Sequence, residues 1–252
     1  MYLIYLQISF LVFVIILTQF IIKWLFGVPG SREDLHSQSR KDYHMLRRLQ
    51  HMSTGLAMLI IWTLANRTLA LFGLGIGTIS FFSMNLYRIY NKEFNEKYLK
   101  NFGFLLRPHE INNMPGALYF LIGMFFNVFF YGRIEVYLAT IVLSFGDPFA
   151  SLCGIYFKSP KISKDKTIAG TICCGLISVL IAGIFYLLVN EFEIVRKEVG
   201  FLEFEVVTFV IAILAELGPS WKRFKLEDNF TIPVYSGFLF KIYFENLKGM
   251  KI

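Results

Sequence analysis

The sequence predicts an all-α fold: a polytopic membrane bundle of about seven to eight transmembrane helices, one or more of them broken. Three observations carry that prediction. The 252-residue chain is 56% hydrophobic and only 17% charged, with a mean hydropathy of +0.56, whereas soluble domains carry about a quarter charged residues. Its apolar residues are gathered into runs long enough to cross hydrocarbon. Its basic residues are gathered into the loops between those runs.

Residues 1–22 carry no charge. No basic segment precedes the run and no small-residue cleavage pattern follows, so 2–22 is read as a retained span rather than a signal peptide. The runs 68–87, 114–132, 136–157 and 168–190 also have spanning length, because a crossing helix needs about 20 apolar residues. Shorter candidates lie at 52–66, 206–219 and 230–244. Segments 88–100 and 191–205 mix charge with apolar residues and read as interfacial amphipathic helices. Segment 136–157 contains Gly146-Asp147-Pro148, where proline removes a backbone donor and glycine adds freedom, so the helix is expected to break there. Broken backbone at membrane depth is tolerated where it lines a cavity or is buried in protein.

The loops 23–51, 88–113, 158–167 and 220–229 hold 18 of the 25 Lys/Arg. An eight-span map places all four on one side, which the positive-inside rule makes cytosolic. If 230–244 is re-entrant, the C-terminus is cytosolic as well. The map divides the chain into an N-terminal anchor and cytosolic linker (1–46) and a membrane-embedded domain (47–252). The formal charge of +7 is accounted for by this topology, and no nucleic-acid partner is implied. Cys153, Cys173 and Cys174 have no zinc-ligand spacing and read as apolar packing residues, with no disulfide framework.

Four constellations can carry chemistry. Asp147 is an acid inside an apolar run, and a charge at bilayer depth marks a site more often than scaffold. The loop Lys158, Lys161, Lys164, Lys166, Thr167 follows it, with Gly170 beyond. Magnesium is held by one or two carboxylates plus substrate phosphates. Lysines and the N–H groups opening the next helix can then neutralise a polyphosphate. The bland alternative is a topologically basic loop and a helix cap. Glu216, with Asp228 and Asn229, supplies further carboxylate and amide oxygens on the same expected side, against a snorkelling acid and an N-cap. Arg47-Arg48 with His51 and Gly55 offers phosphate recognition and a proton relay, against a plain basic flank. Arg107-Pro-His109-Glu110-Ile-Asn112-Asn113 crowds polar groups before a span, where Glu110 or His109 can serve as a general base; a capped loop is the alternative.

These blocks, in this order, resemble the polyprenol kinase family of membrane lipid kinases, which includes dolichol and phytol kinases. The likeness is nearest to the yeast-type CTP-dependent diacylglycerol kinase branch. RRLQHMSTG (47–55) resembles that branch's RK-x-x-H-x-x-x-G motif, with Arg48 in place of lysine. LRPHEINNMPGALYFLIG (106–123) resembles its R-x-HE-x-N segment and following span. SFGDPFASLCGIYF with KTIAGT resembles its S-x-x-D and K-S-x-A-G-S blocks, and EDNFTIPVYSG (227–237) its DN-x-x-I-P-x-x-S-G end. The likeness runs from about 47 to 240. Phe157-Lys158-Ser159 replaces a glycine-basic pair, and Thr167 and Thr171 stand where serines are usual.

The resemblance implies phosphorylation of diacylglycerol by CTP with a divalent cation, Mg2+ or Ca2+, in the endoplasmic reticulum or nuclear envelope, with the site facing the cytosol. On that reading Asp147, Asp228 and Glu216 are metal candidates. Arg47, Arg107, Lys161, Lys164, Lys166, Thr167, Gly170 and Asn229 are nucleotide candidates, and Asp147, Glu110 and His51 catalytic ones. Dolichol or another polyprenol is the alternative acceptor. A phosphatidate cytidylyltransferase is the second enzyme reading, although Ala169 stands at the position of that family's glutamate. A transporter using Asp147 and Glu216 is the non-enzymatic one, weakened by the absence of an internal repeat.

Overall fold

The structure is a computed structural model that describes residues 40–163, 166–218 and 227–250. The run 2–22 and Lys164 lie outside the described residues. Within them the protein is helical, with one antiparallel bridge between Lys161 and Thr167, so the all-α class is borne out. The helices are α1 (Arg40–Leu64), α2 (Arg67–Tyr90), α3 (Lys92–Phe102), α4 (Gly116–Phe130), α5 (Arg133–Tyr156), α6 (Ile168–Leu188), α7 (Glu193–Glu198), α8 (Phe201–Leu217) and α9 (Asp228–Lys241). Among them α2, α5 and α6 are long and apolar enough to cross a membrane. At 15, 17 and 14 residues, α4, α8 and α9 fall short of the usual spanning length. The chain forms two compact units, Met1–Ile122 and Gly123–Ile252.

In the first unit, Asn66 caps α2 by accepting from the Leu69 N–H at 2.8 Å. Asn91 ends α2 and caps α3, accepting from the Phe94 N–H at 3.0 Å. The expected interfacial segment is thus a separate short helix. Phe72, Ile76 and Ile79 of α2 are exposed, as lipid-facing residues of a spanning helix would be. A small core of Leu99, Leu106 and Ile111 holds the loop between α3 and α4.

In the second unit, α5 is the central helix. Residues Ile134 to Ile141 are all buried. The expected break in this segment is instead a π-helical turn, Val142–Gly146, inside a continuous helix. The physical reason is Pro148. It has no N–H to give and its ring would clash with the carbonyl four residues back. One turn of wider register absorbs both, and the Asp147 N–H bonds to Val142 O, five residues away.

Small residues let α6 lie close to its neighbours. A Cβ on Gly170 would stand 2.6 Å from Ala150 O, and one on Gly146 would stand 2.8 Å from both Cys174 Sγ and Ser178 Oγ. The same close crossing brings Cys153 and Cys173 together as a disulfide. That corrects the reading of both as plain packing thiols. Cys174 is the buried free thiol that was expected.

The unit has two poles. Lys166, the end of α8 and the start of α9 meet at one, where Lys166 pairs with Glu216 and Asp228. At the other, Lys241 Nζ donates to Phe130 O, Arg133 faces Glu191, and Lys248 and Tyr243 both bind Glu203. The segment 230–244 therefore runs from pole to pole as α9 and a π-helical extension, Ile242–Leu247, rather than turning back.

Gly170→Ala must force α6 from the α5 backbone. It is expected to cost about 1–3 kcal/mol, read as a lowered unfolding temperature in detergent micelles. Gly77→Ala in α2, with nothing within 4 Å of the added carbon, is the matched control and is expected to cost nothing.

Candidate active site

The site at the first pole of the second unit is assembled from four chain segments. The π-turn sets Asp147 at the head of the last stretch of α5, half-buried. Ser159, Pro160 and Thr167 of the basic loop lie against the start of α6. Pro160 O accepts from the Ile168 N–H, Ser159 Oγ from the Ala169 N–H, and Thr167 Oγ1 from the Gly170 N–H. These bonds occupy the first N–H groups of α6, which the sequence had suggested for phosphate. Thr167 is the helix cap, and Gly170 serves the helix crossing. Ser159, within the departure from the family pattern, is the second cap.

That loop delivers Lys166 into a nest of acids. Its Nζ lies 2.9 Å from Glu216 Oε1 and 3.1 Å from Asp228 Oδ2. Asp147 adds a third negative field. Burial opposes the ammonium charge, but the attraction of Glu216, Asp228 and Asp147 outweighs it and holds the Lys166 pKa above the ordinary lysine value. Such a pair stabilises fully below the unfolded lysine pKa of about 10.4 and weakens only as pH rises through the folded value. The ammonium keeps its charge throughout the neutral range.

Glu216 is 4% exposed, while the Asp228 side chain is 51% exposed. Glu216 Oε2 is buried without a hydrogen-bond partner among the described residues. Three carboxylates and one ammonium leave a formal charge of −2 among oxygen donors. Among the described residues no three Asp, Glu, His or Cys are placed so that they could hold a metal ion by themselves. Lys158 and Lys161 stand exposed beside this pole on the loop. Asn229 is buried in the first turn of α9, whose backbone passes close to Gly123.

In the first unit, His51 lies edge-on to Phe120 at 5.2 Å, with Arg47 half-buried one turn earlier. Arg107 opens a 3-10 turn, Pro108–Glu110. Glu110 is buried, and its two oxygens accept from the backbone N–H groups of Arg107 (2.8 Å) and Gly116 (2.9 Å). The residue missed in the sequence is Arg88, which reads there as a basic flank and is fully buried here. Its position among Tyr87, Ile89 and Tyr90 was the available signal.

Lys166 thus meets Glu216 and Asp228 at one end of the second unit, with Asp147 near enough to act on its charge. The chain is 27% identical over 214 residues to the CTP-dependent diacylglycerol kinase 1 of Saccharomyces cerevisiae, covering 80% of this chain and 74% of that one. It is 26% identical over 172 residues to the protein of the same name in Eremothecium gossypii (64% and 54% covered). With that of Schizosaccharomyces pombe it shares 24% over 209 residues (81% and 94%). The resemblance read from the sequence blocks is borne out. No family profile and no solved structure matches the chain.

Lys166→Met should strand buried Glu216 without its counter-charge and cost about 3 kcal/mol. The double variant Lys166→Met/Glu216→Gln should recover most of that, as thermal unfolding would register. Additive losses would mean the two residues do not act as a pair.

Proposed function

We propose that this protein is a membrane lipid kinase that transfers the γ-phosphate of CTP to the hydroxyl of diacylglycerol, giving phosphatidate and CDP. The observation that carries the reading is the pairing of Glu216 and Asp228 with Lys166, in the field of Asp147, with the likeness to three yeast kinases of that name behind it.

Phosphoryl transfer asks a protein mainly for positioning and charge neutralisation. Asp147, Asp228 and the unpartnered oxygen of Glu216 would hold a divalent cation, Mg2+ or Ca2+, which when bound neutralises and orients the phosphates. Lys166 screens the transferred charge, and Lys161 and Lys164 extend that field along the loop. Thr167, Gly170 and Asn229 shape the nucleotide side. Asp147 makes no ion pair with Lys166 and is the carboxylate we assign to receive the acceptor's proton. The lipid oxygen bonds to the γ-phosphorus as the bond to the bridging β–γ oxygen breaks, and CDP leaves with those electrons. The assignment of Arg47 and Arg107 to phosphate and of His51 to proton handling rests on motif position alone; Glu110, a candidate base by the same motif, spends both oxygens on backbone N–H groups.

The same reading puts seven to eight crossings in an endoplasmic reticulum or nuclear envelope membrane. The site then faces the cytosol, where CTP is available and the basic loops belong.

The test uses purified protein in mixed micelles with CTP labelled at the γ or the α phosphate, offered diacylglycerol or dolichol. γ-label in phosphatidate, dependent on Mg2+ or Ca2+ and reduced at least about 100-fold by Asp147→Asn, is expected. Label in dolichyl phosphate would change the acceptor. α-label in the lipid would replace kinase with cytidylyl transfer, and no label in any lipid would overturn both.

A further inference from the structure

The segment Leu106–Gly116 is held from both sides by charged groups that never reach its surface. Arg88, at the end of α2, is 0% exposed. All five of its N–H groups have acceptors. Nε donates to Asn85 Oδ1 (3.0 Å). Nη1 donates to Asn95 Oδ1 (3.1 Å) and Ile111 O (2.6 Å). Nη2 donates to Glu110 O (3.2 Å) and Asn113 O (2.7 Å). The Tyr98 ring lies 5.1 Å from its Cζ.

Three carbonyls of an irregular loop are thus satisfied by one planar cation. Buried backbone acceptors need partners, and a 3-10 turn cannot supply them itself. Lysine, with one compact ammonium, could not reach all three at these angles. From the opposite side, Glu110 collects the donors left over. It ties the Arg107 N–H to the Gly116 N–H and so closes the loop onto the start of α4. The charges balance, and each carboxylate oxygen has a bond. The clamp turns His109 and Asn112 outward and leaves Arg107 half-exposed.

We infer that Arg88 and Glu110 are positioning residues: an arginine fork and a carboxylate staple that hold the 107–113 loop so that Arg107, His109 and Asn112 face a substrate. Glu110 is committed to backbone donors rather than to proton abstraction. Where the substrate is concerned, this rests on the lipid-kinase reading. The clamp itself does not.

The test pairs amide hydrogen exchange with kinetics on the full chain in micelles, for Arg88→Lys, Glu110→Gln and Glu110→Ala. In Arg88→Lys the amides of 107–116 should exchange at least about tenfold faster while those of α6 and α8 stay protected. Turnover should fall by about 100-fold with the KM for CTP unchanged. Glu110→Gln keeps one acceptor oxygen, so it should lose far less activity than Glu110→Ala and keep the wild-type pH profile.

Unchanged exchange in a folded Arg88→Lys protein would overturn the clamp. Faster exchange with wild-type turnover would overturn its positioning role. Equal losses of about a thousandfold in both Glu110 variants, with a limb of the pH profile gone, would make Glu110 the base instead. If Arg88→Lys does not fold, the two Glu110 variants decide between staple and base. A wild type that phosphorylates nothing would sink the kinase reading, and the exchange data would still decide the clamp.

Discussion

Lys166 is the constraint on which the second unit turns. Its ammonium bridges the end of α8, through Glu216, and the start of α9, through Asp228. The loop that carries it is pinned to α6 by Ser159 and Thr167. Removing a partner from such a pair leaves a buried charge uncompensated, so the lysine and the glutamate require each other. The same cluster is negative overall. On the proposed reading, that negative excess is what a bound divalent cation would offset, which links the packing of this pole to its chemistry.

The π-turn in α5 and the glycines of α6 serve the same end. Pro148 would ordinarily end a helix, yet α5 continues because the wider turn at Val142–Gly146 removes the clash. Asp147 is thereby set on a rigid, centrally buried helix rather than on a loose break. Gly146 and Gly170 let α6 approach it without a gap. Rigid support of this kind is what a reaction driven by positioning asks for.

Much of this was legible in the residues. An acid in an apolar run has few structural reasons to exist, and Asp147 and Glu216 stood out on that ground. The basic loop following Asp147 pointed to the same place. What did not show was how backbone groups would be spent. Thr167 and Ser159 consume the N–H groups of α6 that pattern alone offered to phosphate. Glu110, which has the right type and setting for a base, spends both oxygens on amides. Arg88 counted as one more positive charge beside a span, because burial cannot be read from charge. The disulfide between Cys153 and Cys173 depends on the α5–α6 crossing, and cysteine spacing carries no sign of it. The π-turn and the proposed break share one Gly-Asp-Pro signature; only the neighbours that pack on it decide between them.

The most direct measurement is equilibrium binding of labelled CTP to the purified protein, with and without Mg2+, in wild type and in Asp228→Asn and Asp147→Asn. The account predicts tight binding only with the metal, weakened about tenfold or more by either neutral substitution. Binding that ignores the metal and both substitutions would show that this cluster is a structural ion pair and that CTP is held elsewhere.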